Sequence, residues 1–501
     1  MLGEVLESRY VRAIEENAST LGLSLSHLME CAGKCVADLA AQLLGEPREE
    51  KLVVVVTGRG GNAGDGFVAA RHLASRGYRV RVLALYGREE IEHPDARTNF
   101  ALLSAAGVEV QYFREHGPAG LEGASLIIDA ILGTGVRPPL RSPIREAIEA
   151  INASKARKIA IDIPSGLDPD CGYIGDVAVF ADYTVAIHYR KPVHVLERSR
   201  VGEVVVCNVG IPRAAEEYVG PGHVRHLVLR KPKDAKKGDG GRVLVLGGSV
   251  EYVGAPALAA MAALRTGADL VFVGVPEIVR PVVASFSPNI ITFSVGRDYL
   301  SPDHLDKVME FVKKSDSIVL GPGMSLNRET EEFVTVFLEK AWKASGAPPL
   351  VVDADALKVA ARLRPKLGWR AVLTPHRGEL RVLSEGYGLP SDLPQERTVI
   401  ELSTRSESVV LLKAPVDVIC KGEKCMRNST GTPAMSTGGT GDVLSGIVAA
   451  LVKRTRDIFE AAFIAAYVNG RAGEMATRRL GEGISATDLL DSIPVALYLG
   501  G

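Results

Sequence analysis

The chain has 501 residues, 46% of them hydrophobic, and its 59 basic and 60 acidic side chains leave a net charge of −1. This length exceeds what one hydrophobic core usually serves and predicts two or three domains. No excess charge would attract nucleic acid or an anionic membrane, no apolar run approaches the ~20 residues of a bilayer span, and no secretion signal opens the chain, so we expect a cytoplasmic protein without such partners.

The six cysteines follow neither the spacing of a disulfide framework nor that of paired C-x-x-C zinc ligands. Cys31 and Cys35 lie close together in the sequence, as do Cys420 and Cys425. Because disulfides are rare in the cytosol, we expect reduced thiols. The 52 glycines occur with little low-complexity sequence and indicate many tight turns, as in a nucleotide-handling α/β protein.

The first part of the chain alternates between helical and strand patterns. Two helical stretches precede an unbroken β-branched run, which is typical of a strand buried on both faces of a parallel sheet. A glycine-rich loop, a third helix and a second strand follow. The predicted positions are 4–22 and 28–43 for the first two helices, 51–56 for the strand, 57–66 for the loop, 67–76 for the third helix and 78–85 for the second strand.

Polar side chains follow three of the predicted strands where each strand ends. Asn62 and Asp65 lie in the first loop, Asp129 closes a later strand, and Asp162 closes the next one, shortly before Ser165. The carboxyl ends of parallel strands share one edge of the sheet, and ligands bind there. Oxygen ligands without Cys or His favour a hard cation over zinc. The alternative is that these side chains only cap turns and helices.

The middle of the chain contains the best linker signal. Lys191 lies between two short predicted strands, where it either reaches a bound phosphate or is an ordinary surface lysine. Residues 213–228 show no strong periodicity, and Gly220-Pro221-Gly222 is the most linker-like segment. A second series of strands then predicts another α/β domain. Its strands are expected at 243–246, 268–275, 317–320, 350–352, 371–373 and 409–412, followed by a hairpin at 418–427.

A glycine-rich segment at 437–442 ends in Asp442 and leads into an apolar helix at 443–452. Free backbone N–H groups and the positive end of a helix dipole make such a segment a phosphate site. A carboxylate beside bound phosphate can take a proton from a hydroxyl that is about to be phosphorylated. The alternative is a common glycine-rich loop with an aspartate cap.

Residues 238–452 resemble the ADP-dependent NAD(P)H-hydrate dehydratase family, a branch of the ribokinase-like fold. Six motifs in family order carry this resemblance: Gly247-Gly248-Ser249, Gly254-Ala255-Pro256, Gly321-Pro322-Gly323, Asp353-Ala354-Asp355-Ala356-Leu357, Leu373-Thr374-Pro375-His376-x-Gly378-Glu379 and Gly438-Gly439-Thr440-Gly441-Asp442. It implies a hydrate site lined by Ala255, Gly323, His376 and Asp442, although His376 is alternatively a hydrogen-bonded loop histidine. It implies nucleotide contacts from Lys413, Ala414, Pro415, Val416, Asp417, Gly438, Gly439, Thr440 and Gly441. Asp442 is then the base, and Mg²⁺ accompanies ADP.

Residues 1 to about 212 similarly resemble the NAD(P)HX epimerase family. The motifs are Leu28-Met29-Glu30-x-Ala32-Gly33, the segment 62–66 followed by Ala69-Ala70-Arg71-x-Leu73, Asp129-Ala130-x-x-Gly133-Thr134-Gly135, and Asp162-Ile163-Pro164-Ser165-Gly166-Leu167. The resemblance implies a potassium site of Asn62, Asp129 and Ser165, and Asp162 is our choice for proton transfer. It implies that the hydrate is contacted by Gly61, Asn62, Ala63, Gly64, Asp65, Gly133, Thr134, Gly135, Val136, Arg137, Pro138, Pro139 and Asp162.

Together the two resemblances cover nearly the whole chain and imply two three-layer α/β/α domains, Rossmann-like and then ribokinase-like. The expected bounds are 1–218 for the epimerase domain, 219–228 for a linker and 229–501 for the dehydratase domain. The implied substrates are ADP and NAD(P)HX, the hydrated form of NADH or NADPH, and a homo-oligomer is implied as well. The dehydratase would phosphorylate the hydroxyl of the S epimer so that it leaves, giving NAD(P)H, phosphate and AMP. The epimerase would interconvert the R and S epimers.

Two alternatives remain open at this point. One is a small-molecule kinase of the same ribokinase-like fold, and the other is an N-terminal half that binds a ligand without catalysis. The second alternative rests on a departure from the epimerase family, since Gly61 and Ala63 stand where that family has Asn and Gly. A methyl group at position 63 would strain the backbone if that residue needed a positive φ.

Overall fold

The computed structural model describes residues 5–135, 139–173, 175–343 and 346–499. The chain forms two compact units, which divide between Ala215 and Glu216. Both units are built from parallel strands that alternate with helices, so the predicted α/β class is confirmed. The predicted substrate residues Val136, Arg137 and Pro138 lie outside the described residues.

The N-terminal unit contains a seven-stranded parallel sheet in the order β3-β2-β1-β4-β5-β8-β9, with a small antiparallel pair of β6 and β7. Every residue of β1 is buried, which explains its unbroken run of apolar side chains. The strand order reverses between β1 and β4, and this reversal opens a crevice at their carboxyl ends. The strands are β1 Leu52–Thr57, β2 Arg79–Ala84, β3 Glu109–Tyr112, β4 Ala124–Ala130, β5 Arg157–Ile161, β6 Leu167–Asp168, β7 Gly172–Tyr173, β8 Tyr183–Ile187 and β9 Glu203–Cys207.

The helices of the N-terminal unit correct the prediction at one functional segment. The loop expected at 57–66 ends early, because α3 begins at Gly61 and places Asn62 and Asp65 in its first turns. Gly66 is required there, since a Cβ at this position would lie 2.6 Å from the Cβ of Ala130. The helices are α1 Ser8–Thr20, α2 Leu25–Leu44, α3 Gly61–Ser75, α4 Pro94–Leu102, α5 Phe113–His116, α6 Ile144–Ala153, α7 Val193–Leu196, α8 Arg198–Val201 and α9 Arg213–Glu217.

The helical position of Ala63 also removes the concern about backbone strain. Ala63 is fully buried within α3 and is absent from the non-glycine residues with positive φ. A helical backbone accepts alanine better than glycine. The change from the family's glycine therefore costs no strain at this position.

The C-terminal unit contains a nine-stranded sheet in the order β12-β11-β10-β13-β14-β15-β16-β17-β18. The strands are parallel as far as β16, and β17 and β18 form the predicted hairpin antiparallel to it. The strands are β10 Arg242–Leu246, β11 Leu270–Val275, β12 Ile290–Ser294, β13 Ser317–Leu320, β14 Leu350–Val352, β15 Ala371–Leu373, β16 Val409–Leu412, β17 Asp417–Lys421 and β18 Lys424–Asn428.

Two helices near the end of the C-terminal unit, α18 and the 23-residue α19, pack against each other. The segment predicted as a linker, 219–228, contains α10. No helix in the described part of the chain is long and apolar enough to cross a membrane. The helices are α10 Pro221–Leu227, α11 Ala255–Thr266, α12 Arg280–Ser285, α13 Leu305–Val312, α14 Arg328–Lys343, α15 Asp355–Leu363, α16 Arg377–Gly386, α17 Gln395–Ser406, α18 Thr440–Leu451, α19 Ile458–Leu480 and α20 Ala486–Leu490.

The expectation of reduced thiols is wrong for four of the six cysteines. Cys35 in α2 is bonded to Cys207 at the end of β9, 172 residues further along the chain. Cys420 and Cys425 are bonded across the β17–β18 hairpin, where they are facing partners in the strand register. The first pair depends on how α2 packs, which the spacing of the cysteines does not reveal. Cys31 and Cys171 are free and exposed.

Two candidate active sites at the strand ends

A cavity of about 630 Å³ lies at the crevice of the N-terminal sheet. It brings together the residues that follow β1, β4 and β5, as the sequence predicted for strand-end polar groups. Of the predicted residues, Gly61, Asn62, Asp65, Gly133, Thr134, Gly135 and Asp162 line it. Ala63, Gly64 and Pro139 do not line it, because Ala63 and Gly64 are buried inside α3 and Pro139 is exposed outside the cavity.

Asp162 is held in a strained conformation beside a buried lysine. Its φ is 64°, in the left-handed region that non-glycine residues seldom adopt. The Nζ of Lys191, a residue only 2% exposed, donates to Asp162 Oδ1 at 2.6 Å, and the backbone N–H of Ile187 donates to the same oxygen at 3.2 Å. Lys191 is therefore neither a surface lysine nor free to extend away from the site.

His194 fixes the backbone of this pair. The N–H of Lys191 donates to His194 Nδ1 at 2.8 Å, so the ring proton resides on Nε2, which donates to the carbonyl of Asp162 at 2.7 Å. Burial lowers the pKa of His194 and keeps the ring neutral. Both ends of the Asp162–Lys191 pair are thus anchored by one imidazole.

The three predicted potassium ligands are linked by hydrogen bonds, and one of them, Asn62, lines the cavity. Ser165 donates to Asp129 twice, from Oγ to Oδ1 at 2.6 Å and from its N–H to Oδ2 at 2.8 Å. Asn62 Nδ2 donates to the carbonyl of Leu132 at 3.0 Å, and the N–H of Leu132 donates to Ser165 Oγ at 2.8 Å. Asp129 is fully buried, and burial raises its pKa to about 6. Among the described residues it forms no salt bridge, so a cation at this cluster would offset its charge.

The second cavity, of about 690 Å³, lies in the C-terminal unit between the loop after β16 and the helix starts that face it. The predicted residues His376, Lys413, Ala414, Pro415, Asp417, Thr440 and Gly441 line it. Val416, Gly438 and Gly439 do not, although they are neighbours in sequence of residues that do. The apolar residues Leu444 and Ala466 and the polar Asn469 also line it, and the sequence did not predict them.

Lys413 is the cation of this cavity. Its Nζ donates to Asp353 Oδ1 at 2.8 Å and lies 3.9 Å from Glu379 Oε2. Burial opposes the charge, but the carboxylates of Asp353 and Glu379 raise the pKa of Lys413 overall. Ser445 in α18 donates its hydroxyl to the other oxygen of Asp353 at 2.5 Å. Asp353, only 1% exposed, therefore holds Lys413 and α18 in a fixed relation.

Asp442 occupies the first turn of α18, as predicted. Burial raises its pKa to about 7, the nearby carboxylates of Asp353 and Glu379 add to this effect, and Lys413 opposes it. Gly439, just before the helix, has a φ of 95°, and a Cβ there would lie 2.6 Å from Leu258. Glycine is thus required for the turn that presents the N–H groups of α18. A carboxyl group that titrates near neutral pH is suited to accept and release a proton.

The predicted hydrate residues of the C-terminal unit fall in two places. Ala255 begins α11, and a Cβ on Gly323 would lie 3.1 Å from that of Ala255 and 2.9 Å from Tyr252 Cβ, so these three are adjacent. His376 caps α16 instead: its Nδ1 accepts from the N–H groups of Gly378 at 3.0 Å and of residue 379 at 3.2 Å. It also lines the cavity, so the capping alternative and the binding role are compatible.

Several side chains in the two cavities were missed by the sequence reasoning. Ser8, Arg12 and Glu15 line the first cavity from α1, and the signal for them was the helical period of that segment. Asn469 lines the second cavity from α19 and is 8% exposed. Its Oδ1 has no hydrogen-bond partner in the described part of the chain, which leaves an acceptor available to a ligand.

Comparisons with known proteins match both halves of the chain. Residues 243–495 match a family profile described as NAD(P)H-hydrate dehydratase, and residues 25–193 match one described as the YjeF-related protein N-terminus. Bifunctional NAD(P)H-hydrate repair enzymes from Hyperthermus butylicus and Pyrobaculum aerophilum are each 42% identical to the chain. The alignment with the Hyperthermus butylicus protein covers 99% of this chain and 93% of that protein. The alignment with the Pyrobaculum aerophilum protein covers 98% of this chain and 97% of that protein.

A solved structure supports the fold of the second half. A ribokinase-like superfamily protein from Enterococcus faecalis is similar with a TM-score of 0.51 and 22% identity, and the alignment covers 56% of this chain and 95% of that one. At this identity the similarity concerns the fold alone.

Proposed function

The chain belongs to the family of bifunctional NAD(P)H-hydrate repair enzymes, and from this premise we propose how its two sites divide the chemistry. It is an NAD(P)HX epimerase fused to an NAD(P)H-hydrate dehydratase, and this activity is favoured over the small-molecule kinase. One observation carries the proposal. Each unit places a carboxylate near a lysine at the carboxyl edge of its sheet, Asp162 with the buried Lys191 and Asp442 with the half-buried Lys413.

In the dehydratase site, ADP binds along the second cavity. Lys413 and the N–H groups at the start of α18, beside Thr440 and Gly441, hold the phosphates. Asp442 accepts the proton of the hydrate's hydroxyl while that oxygen attacks the terminal phosphorus of ADP. The bond to the AMP oxygen breaks, and AMP leaves. The phosphorylated hydroxyl then departs as phosphate with loss of a ring proton, which restores the double bond of NAD(P)H.

The expected Mg²⁺ would arrive with ADP and neutralise charge on the phosphates as they react. The residues present fit this ion, because Mg²⁺ usually takes one or two protein carboxylates together with phosphate oxygens and waters. Glu379 is the best candidate ligand. It is 8% exposed, and burial raises its pKa, so a nearby cation would stabilise its charged form.

In the epimerase site, K⁺ would be held by Asn62, Asp129 and Ser165. The oxygen-rich cluster fits such an ion, and the buried Asp129 carboxylate gains from a positive neighbour. Asp162 carries the proton transfer at the hydrated carbon, and the hydrogen bond from Lys191 holds its carboxylate in place. The epimerase site thereby converts the R epimer to the S epimer, which the dehydratase accepts.

We further propose ADP as the preferred nucleotide, a cytoplasmic location and a homo-oligomer, in keeping with the family resemblance. The division of labour is tested with two variants of the full chain. Asp162→Asn should abolish exchange between R and S NADHX while NADH formation from the S epimer continues. Asp442→Asn should do the reverse. The assignment of one site to each unit would be wrong if a folded variant lost both activities. It would also be wrong if a variant kept both activities.

A further inference from the structure

Helix α1 supplies a whole face to the epimerase cavity. Ser8, Val11, Arg12 and Glu15 all line it, and they stand at positions i, i+3, i+4 and i+7 of one helix. This spacing places four side chains on a single helical face. The matched part of the epimerase family begins at residue 25, so α1 lies outside that match.

Hydrogen bonds fix helix α1 and the residues just before it to other parts of the N-terminal unit. The N–H and the hydroxyl of Ser8 each donate to Asp170, at 2.7 Å. The N–H of Leu6 donates at 2.9 Å to the carbonyl of Arg190, the residue directly before Lys191. At the far end of α1, Asn17 Nδ2 donates to the carbonyl of Ala215 at 3.3 Å. Glu15 is therefore presented to the cavity from a helix tied down at both ends.

The cavity holds more carboxyl groups than cations near Lys191. Asp162 is paired with Lys191 at 2.6 Å, whereas Glu15 and Asp65 have no such short partner among the described residues. Glu15 interacts with Lys191, Asp162 and Arg12, and Asp65 interacts with both Asp162 and Glu15. Burial raises the pKa of Glu15 to about 7, with Asp162 adding to the effect and Lys191 and Arg12 opposing it. Near neutral pH, Glu15 thus has a proton to give, and Asp162 lines the same cavity.

The chemistry of epimerisation requires a proton donor as well as an acceptor. The reduced nicotinamide ring is an enamine, and hydration of an enamine leaves the hydroxyl on the carbon bonded to nitrogen. Inversion at that carbon breaks the C–O bond, and the nitrogen lone pair forms an iminium ion. The departing hydroxyl needs a proton to leave as water. The water that adds on the opposite face must then lose one.

We propose that Glu15 is the general acid of the epimerase site and works opposite Asp162. The inference rests on the proposed function of this cavity. The Glu15 carboxyl protonates the departing hydroxyl, and the Asp162 carboxylate takes the proton from the entering water. One proton leaves Glu15 and one reaches Asp162, and the reverse conversion uses the same groups in exchanged roles. The negative charge left on Glu15 stabilises the iminium ion between them.

The test measures exchange of purified R NADHX into the S epimer by chromatography, with K⁺ but without ADP, so that dehydration does not consume the product. Spontaneous exchange is subtracted. Glu15→Gln should lower kcat about 100-fold or more with little change in KM, since a general acid contributes roughly 10²- to 10⁴-fold. Wild-type kcat should fall as pH rises through about 7, because Glu15 loses its proton there. This decline should be absent from the residual rate of Glu15→Gln, and Glu15→Asp should restore part of the activity.

The matched control is Glu16→Gln, which changes the next residue of α1, outside the cavity lining, and should exchange epimers at the wild-type rate. Wild-type protein that exchanges no epimers would overturn the proposed function itself. If the wild type exchanges epimers and Glu15→Gln does so at the same rate with the same decline above pH 7, only the role of Glu15 would be overturned. The same holds if Glu15→Gln changes KM but not kcat. If Glu15→Gln fails to fold, Glu15→Asp provides the test. A folded Glu15→Asp variant whose kcat does not fall with rising pH would also contradict the proposal.

Discussion

Replacing Asp442 with Asn removes the proposed base of the dehydratase site without changing its shape. Since burial raises the pKa of Asp442 to about 7, the wild-type rate should depend on pH in the neutral range. The ionised form is the active one. kcat should be about half maximal at pH 7, roughly a tenth at pH 6 and roughly a hundredth at pH 5. The Asn variant should lose about 10²- to 10⁴-fold in kcat, or about 3–5 kcal/mol of transition-state stabilisation.

The same substitution should lower activity but raise the free energy of unfolding at alkaline pH. The pKa of Asp442 moves from 3.8 to about 7, and about three units correspond to an upper limit of roughly 4 kcal/mol against the charged folded form. Partial solvent contact reduces this to about 1–2 kcal/mol. Because a carboxyl group with a raised pKa costs stability as pH rises through that pKa, Asp442→Asn should exceed the wild type in stability at pH 8 and approach it near pH 4.

The assay follows NADH absorbance from S NADHX with ADP and Mg²⁺ between pH 5 and 9, alongside denaturant unfolding of both proteins. Epimer exchange by the same variant is the internal control and should be unchanged. A variant within tenfold of the wild-type kcat would refute the role of Asp442 as base. A wild-type profile flat between pH 5 and 8 would refute the inference drawn from its raised pKa.

Three further predictions concern the nucleotide cavity and the disulfides. A Cβ in Gly441→Ala would lie 3.2 Å from Lys413 Nζ, so KM for ADP should rise several-fold, and an unchanged KM would mean that phosphate does not bind here. Asn469→Leu removes the buried acceptor Oδ1 and should weaken AMP binding up to about tenfold by calorimetry, whereas equal affinity would exclude contact with the nucleotide. Cys35→Ser breaks a bond to Cys207 across 172 residues and should cost up to about 5 kcal/mol of unfolding free energy. Identical melting of variant and wild type under oxidising conditions would contradict this.

The strand-end chemistry was predictable because it depends on local sequence and on the sheet. Asp129 and Ser165 are hydrogen-bonded to each other, as expected of residues at neighbouring parallel strands. Asp442 begins an apolar helix, where glycines before it signal a phosphate site. The start of α3 was misplaced because Gly61 and Gly64 read as loop residues, although helix packing requires a small residue at position 64, where a Cβ would lie 2.5 Å from Met29.

Long-range contacts were not predictable from the pattern alone. Nothing local marks Lys191 as the partner of Asp162, because the two residues are 29 positions apart and three strands lie between them. Glu15 belongs to a helix whose sequence looks like an ordinary amphipathic surface helix, and only its packing places it at the cavity. The Cys35–Cys207 disulfide likewise depends on packing between distant segments, which the local sequence does not show.

The most direct test of the two-site account uses the purified wild-type chain and a mixture of R and S NADHX, with Mg²⁺ and K⁺. NADH absorbance is followed with ADP, with ATP and with no nucleotide. The account predicts complete conversion of both epimers with ADP, faster than spontaneous exchange allows. Conversion that stops at the share of the S epimer would contradict a working epimerase site, and no NADH with either nucleotide would contradict the repair function as a whole.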